Sequence, residues 1–578
     1  MNAVTMRAPH PAAAVPARPS RIRGLLDAIA ERWRRMDGPG DGRRVAGTGV
    51  VAVTAMTLQT AIAGISVGSG AALWYADAMS HLVIAGRITS GFNAGVQQLG
   101  TVWLPAPHLL LAPLASNHVL WATGWAGAIV GILAMGASTA ALYRIAARVG
   151  LRRAGRLVTV LLFVANPGVL YVYTTALTEP VLLAGLLGCI AGLAHYAVAR
   201  RPLSGGELAV YAGIPAAIAV LSRYEGWVIV AAGVLCIMIM ELRARHRLGR
   251  RALLRGASFA LPPLAAVAVI PLLAISWWLG YNFVNFGDAL EFVVGEYSAF
   301  AQQRDLAAAN ELSTEGSLAA SLTVLGGSTW QVAGWVAIGL GLLGCAWLAA
   351  TDGLGTRTLI AGVLLAPWVF NVAALYLGQT VIRNEFSVPP GHFNSRYALT
   401  ALAFLALCAG VLVDALADGP VGRRLGRLRH AVAPVAALAI LGQAVFVAAA
   451  PTERSPIIEE GRVQQTAREL VDPVWDYLAE HYDGTGVLTD EVATTMQPRL
   501  GVPLGDFYIL AAGEHFEQAL ARPTQHVGWI LVSTADRSRE YHQDAVREAM
   551  LESPENFTAY QPVAAAEEFV LYRNGSRP

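Results

Sequence analysis

A succession of long apolar runs constrains this chain more than any other feature. They fall at residues 46–73, 118–143, 154–173, 180–199, 208–222, 226–240, 256–280, 328–350, 358–378, 397–417 and 431–450. Most approach the roughly 20 residues an α-helix needs to cross a hydrocarbon core of about 30 Å. In lipid every backbone N–H and C=O must find its partner within the segment, so the helix is the available solution. Composition agrees, with 55% hydrophobic and 14% charged residues where a soluble domain is nearer a quarter charged. The expected fold is a polytopic α-helical membrane protein of about 11 transmembrane helices. The net charge of +2 gives no argument for a nucleic-acid partner. Cys189, Cys236, Cys345 and Cys408 all lie inside apolar runs, so neither a disulfide framework nor a zinc spacing is available.

Charge placement sets the orientation. There is no lysine, and the arginines cluster in particular connections: Arg144 to Arg156, Arg200 and Arg201, Arg243 to Arg255, and Arg423 to Arg429. The remaining connections carry single arginines such as Arg87, Arg223 and Arg383. Positive loops stay in the cytoplasm. A plasma-membrane protein with a cytoplasmic N-terminus is expected, with 74–117, 281–327, 379–396 and everything past 451 outside. Residues 1–45 form a basic N-terminal segment, in which RIRGLLDAIAERWRR at 21–35 reads either as a helix on the inner leaflet or as a solvated tail.

Residues 208–240 test that scheme. A single span would bury Arg223 and Glu225 at its centre, at about 2.5–3.5 kcal/mol each on insertion scales, and would carry the 243–255 arginines to the wrong side. A hairpin with SRYEGW at its tip avoids both. Its arms, roughly 22 Å long, are shorter than the core, so the tip should sit below the headgroup plane and line a polar cavity.

The first outer loop, 74–117, interleaves Asp77, His81, Gln98 and His108 with Trp74, Phe92, Trp103 and Leu104. Polar groups are thereby held at an interface by apolar anchors, which makes the isolated Asp77 a candidate base. Other unusual residues fall in outward positions: Glu179, Arg223, Tyr224, Glu225, and His392, Asn394, Arg396 and Tyr397 in GHFNSRY. Each also has a plain reading. Glu179 before Pro180 suits a helix N-terminus, His108 suits an interface, and Arg396 suits a snorkelling position. Residues 451–578 are charged and Pro-punctuated. Helical spacing at 463–481 (Val463, Leu470, Val474, Leu478), strands at 486–490, 529–533 and 569–573, and a helix at 536–551 predict a small extracytoplasmic α/β domain.

The order YADAMSHLVIAGR, QLGTVWLPAPHLL, NPGVLYVYTTALTEPVLL, SRYEGW, YNFVNFGDAL and FNSRYAL, spanning residues 75 to about 400, resembles the GT-C superfamily of integral-membrane glycosyltransferases. That group contains protein O-mannosyltransferases and aminoarabinose transferases. The resemblance implies a GT-C-like domain over 46–450, a polyprenyl-phosphate sugar donor, and Asp77 as catalytic base. The paired acidic motif frequent in this loop of the family is absent, since Ala78 follows Asp77.

The chemistry of sugar transfer from a lipid phosphate asks for a base and for fixed positive charge at the departing phosphate, here Arg223 and Arg396. His81, Gln98, Trp103, His108, Glu179, Tyr224, Glu225, His392, Asn394 and Tyr397 are expected around donor and acceptor, a glycan, lipid or protein, with Glu179 and Glu225 orienting arginines or binding sugar hydroxyls. A divalent metal is left open, although the histidine spacing is not that of a zinc site. The rival readings are a transporter or lipid flippase, and a glycan ligase with a lipid-diphosphate donor. The first is disfavoured by the lack of an internal repeat.

Overall fold

The structure, a computed structural model, describes residues 38, 40–248, 257–295, 298–308, 311–491, 502–534 and 543–575. The helix expected at 21–35 lies outside them. Among the described residues nine helices are long and apolar enough to cross a membrane: Thr48–Gly68, Trp125–Arg148, Glu179–Val198, Tyr224–Ala244, Leu261–Phe286, Leu318–Asp352, Thr356–Tyr376, Ser395–Ala417 and Val421–Ala448. They coincide with nine of the eleven expected runs. The other two are shorter elements with identifiable causes. Residues 154–173 break into Arg153–Val164 and Pro167–Val172. Pro167 disfavours helical geometry at Asn166, whose side chain instead caps the next helix by accepting from the Val169 N–H. The other is Gly205–Val220, the first arm of the hairpin. The tip forms at 221–226, as the two charges require, and Gly226 is obligatory there because a Cβ would lie 2.1 Å from the Ala219 carbonyl oxygen.

Helix Ser395–Ala417 is central, with 83% of its apolar window buried, against 11% for the peripheral Val421–Ala448. The long helix Leu318–Asp352 kinks at Gly334, where φ is +77°. The backbone groups released by the kink are recaptured by side chains. Gln443 accepts from the Val336 N–H (2.7 Å) and donates to the Ala333 oxygen (2.9 Å), while Asn166 donates to the Val332 oxygen (2.8 Å). Such recapture is what a low-dielectric setting demands.

The arginine-bearing connections gather at one end of the bundle. Arg200 pairs with Asp41, Arg43 and Arg201 with Glu207, Arg152 lies 3.8 Å from Asp418, and Arg357 donates to the Val149 oxygen. The other end holds the first loop and the tail. In that loop, helices Ala76–Thr89 and Pro105–Ala115 pack on each other, and Trp121 Nε1 donates to the Leu82 oxygen.

The tail carries a five-stranded sheet in the order β2-β1-β3-β5-β4, with β1 Gly486–Thr489, β2 Phe507–Tyr508, β3 Val527–Ser533, β4 Tyr560–Ala566 and β5 Phe569–Asn574. β1 pairs parallel with β2 and β3, and β5 pairs antiparallel with β3 and β4. The short β2 and the Pro-containing β4 are edge strands, as Pro562 dictates, and neither was expected from the sequence. The single helix expected over 463–481 is two, Pro456–Glu469 and Asp472–His481. Pro473 starts a new helix rather than continuing the old one. Consequently Val463 and Leu470 are exposed, and only Val474 and Leu478 are buried. Of the helix expected at 536–551, the described residues start at 543; they are helical from Ala545, in a helix that runs to Glu552 with Asp544 as its N-cap.

Candidate active site

The first loop and three helix ends meet over a cavity of about 310 Å³. Asp77 and His81 sit one turn apart on helix Ala76–Thr89, so they share a face. Arg223 and Glu225 come from the hairpin tip. Arg396 comes from the first turn of Ser395–Ala417, where a helix N-terminus by itself disfavours a cation.

Arg396 is held by three carboxylates. Its Nη2 pairs with Asp77 Oδ2, its Nε donates to Glu179 Oε1 (2.9 Å), and its Nη1 donates to Glu460 Oε1 (3.2 Å). Arg223 donates through Nη2 to Glu225 (2.9 Å), and through Nη1 to the same Glu179 oxygen (3.0 Å) and to Thr178 Oγ1 (3.2 Å). Glu179 Oε1 thus bridges both guanidiniums. Tyr397 presents its ring face to Arg223, 4.2 Å from the guanidinium carbon, and Tyr75 does the same for Arg396 at 5.0 Å.

The charge sum is informative. Two guanidiniums face four carboxylates, Asp77, Glu179, Glu225 and Glu460, a formal excess of two negative charges. Burial pushes the Glu460 carboxyl above its ordinary range despite Arg396, which relieves part of this excess. Asp77 is the accessible acid. Its side chain is 39% exposed, against 4% for Glu179 and 0% for Glu460, and its Oδ1 accepts no hydrogen bond among the described residues.

His81 and His108 form a buried pair, with Nδ1 of the first 2.9 Å from Nε2 of the second. Burial, reinforced by Arg396 and Arg223, depresses the His81 pKa to about 3, and His108 is also held well below its usual value by burial. Both rings are neutral near pH 7, so they contribute hydrogen bonding rather than positive charge, and His81 packs at a tilt of 55° against Trp103 (4.5 Å between ring centroids).

The cavity is lined by Asp77, His81, Trp103, Arg223, Tyr224, Glu225, Arg396 and Tyr397, all expected from the sequence. Glu179 and His108 stand behind this wall. Asn394, in left-handed backbone geometry (φ 58°), gives its N–H to Glu460 Oε1 (3.0 Å). Two expected residues are elsewhere. Gln98 donates to the Ala511 oxygen of the tail (3.0 Å), and His392 lies 3.3 Å from Glu459. Among the described residues no three His, Cys, Asp or Glu side chains group in a way that could hold a metal ion.

Sequence reading missed Glu460, which among the described residues is the tail residue paired with Arg396. It also missed the apolar and amide lining from Phe292, Phe370, Asn371 and Gln379. The available signal was PIIEEGR directly after the last apolar run. Glu459 and Glu460 are adjacent there, and nothing local says which one turns inward.

The chain superposes on ArnT from Cupriavidus metallidurans in the apo state over 86% of its own length and 93% of that chain, with a TM-score of 0.50 at 13% identity. The fold is shared with ArnT. This agrees with the GT-C-like architecture anticipated from the ordered motifs. Two structures of the Archaeoglobus fulgidus oligosaccharyltransferase are also similar. The one tethered with an acceptor peptide gives a TM-score of 0.41 at 11% identity, covering 84% of this chain and 69% of that one. The one in complex with Zn and sulfate gives 0.42 at 11%, covering 90% and 73%. No family model matches the sequence, and no curated protein does.

Proposed function

We propose that this chain is an inverting glycosyltransferase that moves a sugar from a polyprenyl-phosphate donor to an acceptor hydroxyl at the outer face of the plasma membrane. The observation that carries the reading is the meeting of an accessible carboxylate oxygen, Asp77 Oδ1, and the Arg223 guanidinium on the wall of one cavity. The shared fold with ArnT supports it, as does the aromatic lining from Trp103, Tyr224, Phe292 and Tyr397, which offers ring faces to a sugar.

In this mechanism Asp77 Oδ1 takes the proton of the acceptor hydroxyl as its oxygen bonds to the anomeric carbon. The bond from that carbon to the phosphate oxygen breaks, and its electron pair leaves with the phosphate. One displacement gives inversion. Arg396 fixes Asp77 in place through Nη2 and does not bind donor while Glu179 and Glu460 hold its other nitrogens. Arg223 is the cation that meets the phosphate, exchanging Glu225 for it. That swap replaces one anion by another, so the half-buried guanidinium is never left unpaired.

The test is Asp77→Asn in purified protein, supplied with a panel of polyprenyl-phosphate sugars and assayed for released lipid phosphate. Turnover should fall by roughly 10²–10⁴-fold while donor binding persists. An Asn variant with near wild-type turnover refutes the base assignment. Parallel lipid-diphosphate donors separate simple transfer from glycan ligation.

A further inference from the structure

A larger cavity runs from the first-loop helix Pro105–Ala115 down to the opposite, arginine-rich end. It has a volume of about 590 Å³ and no part in the chemistry above. It is a groove between helices Trp125–Arg148 and Glu179–Val198, with the first hairpin arm as its third wall. On the first helix the lining face reads Val130, Ala137, Ala141, Arg144, Arg148, an apolar stripe that turns cationic at its end. From Val130 to Arg144 the axis runs about 21 Å, longer than half of a roughly 30 Å hydrocarbon core. Alanines and glycines on both helices leave room along the groove. Leu133 and Val210, both strongly exposed, mark where it opens sideways to lipid.

Among the described residues the cationic end has no anion. Arg148 is buried (6% exposed), donates Nη1 to the Ala191 oxygen and leaves Nε without a partner. Arg144 reaches only the Arg43 oxygen, at 3.3 Å, and its Nε is also unpartnered. Among the described residues neither meets a carboxylate, because Glu207 is taken by Arg43 and Arg201. A neighbouring histidine, His195, adds no acid. A buried guanidinium without a counter-charge is costly. Arg148 is such a group, and with the half-buried Arg144 beside it at the end of an apolar groove that faces lipid it selects a ligand with a phosphate at one end and a hydrocarbon chain at the other.

We propose that this groove binds an anionic glycerophospholipid of the leaflet at the arginine-rich end. Its phosphodiester sits on Arg144 and Arg148, and one acyl chain lies along the Ala137 stripe. The site is independent of the transferase reading, so its test uses binding rather than turnover.

Detergent-purified full-length protein is mixed with phosphatidylglycerol or phosphatidylcholine of matched chains, and retained lipid is counted by native mass spectrometry. Arg144→Gln and Ala137→Phe are compared with wild type. Ala137 is exposed in the groove, so a phenyl ring there fills the groove without entering the packed core. Wild type should retain phosphatidylglycerol preferentially, and each variant should retain it about tenfold more weakly. Equal retention of the two lipids overturns the proposal. So does loss in Arg144→Gln but not Ala137→Phe, which would leave a surface charge patch with no seated chain. Displacement of the phospholipid by inorganic phosphate, or by polyprenyl phosphate at lower concentration, overturns the assigned occupant.

Discussion

Glu460 is where the tail reaches the site, and its replacement is the sharpest test of how that site is held. The carboxyl is fully buried and accepts from Arg396 Nη1 (3.2 Å) and from the Asn394 N–H (3.0 Å). Glu460→Ala strips both donors of their acceptor. An unsatisfied buried donor costs about 1–3 kcal/mol, and more when charged, so a loss of about 4 kcal/mol is expected. Glu460→Gln keeps an amide oxygen for both donors. Its NH₂ would fall where Oε2 already lacks a partner, so the expected loss is only about 1–2 kcal/mol. Burial raises the Glu460 pKa in the folded state, and the sign of the pH effect follows. The folded protein binds this proton more tightly than the unfolded chain. The associated stability is therefore full below the ordinary carboxylate pKa and is lost as pH rises through the elevated one. Thermal unfolding of the detergent-purified protein, followed by tryptophan fluorescence across that window, reads all of this. The order should be wild type, Gln, Ala, and the Gln variant should lack the Glu460 part of the pH slope. Without its clamp Arg396 should also position Asp77 less well, so the Ala variant should lose more turnover than the Gln variant. An Ala variant that melts like wild type with an unchanged slope would refute this account of the site.

Two further outcomes follow from the same packing. Gln443→Leu removes the partners of the Val336 N–H and the Ala333 oxygen at the Gly334 kink, and should destabilise by about 2–4 kcal/mol. Gly334→Ala adds a Cβ 2.4 Å from Gln443 Nε2 at φ +77° and should also lower the unfolding midpoint; a neutral effect of both would show that the kink is not held this way. Truncating the tail at 451 removes Glu460 and the Ile457 oxygen that accepts from Tyr75 (2.6 Å), and should abolish turnover and weaken donor binding together. Truncation at 482 keeps both and should spare donor binding, as measured by lipid co-purification.

The large features were legible because membrane physics leaves few options. Apolar length gave the spans, clustered arginine gave the two ends of the bundle, and the cost of burying Arg223 and Glu225 mid-membrane required the hairpin turn that is found. What was missed follows from the same reasoning applied too coarsely. Proline was read as punctuation between elements, yet Pro167 and Pro473 each split a run that hydropathy or spacing had joined. Residues 507–508 and 560–566 are too short or too polar to announce themselves as strands. They pair because neighbouring strands present open edges.

The site itself was read as arginines awaiting a phosphate, and here one physical rule was left unused. A guanidinium buried to 4% exposure, as Arg396 is, does not wait as a free cation, because taking it out of water without a counter-charge costs several kcal/mol. Burial of Arg396, and near-burial of Arg223 at 14% exposure, therefore demanded carboxylates nearby, and the chain supplies them at 77, 179, 225 and 460. Three of those were in hand as candidates, Asp77 as base and Glu179 and Glu225 as groups that orient arginines or bind sugar hydroxyls. The fourth was hidden because a helix past the last span folds back over the bundle end, a contact across 64 residues that no local pattern encodes. The consequence reaches the chemistry. With both guanidiniums already neutralised, the site does not attract a phosphate by net charge, which is in deficit. It can accept one only by trading a carboxylate away, and Glu225, on the cavity wall and bound to Arg223 alone among the two arginines, is the acid positioned to be traded.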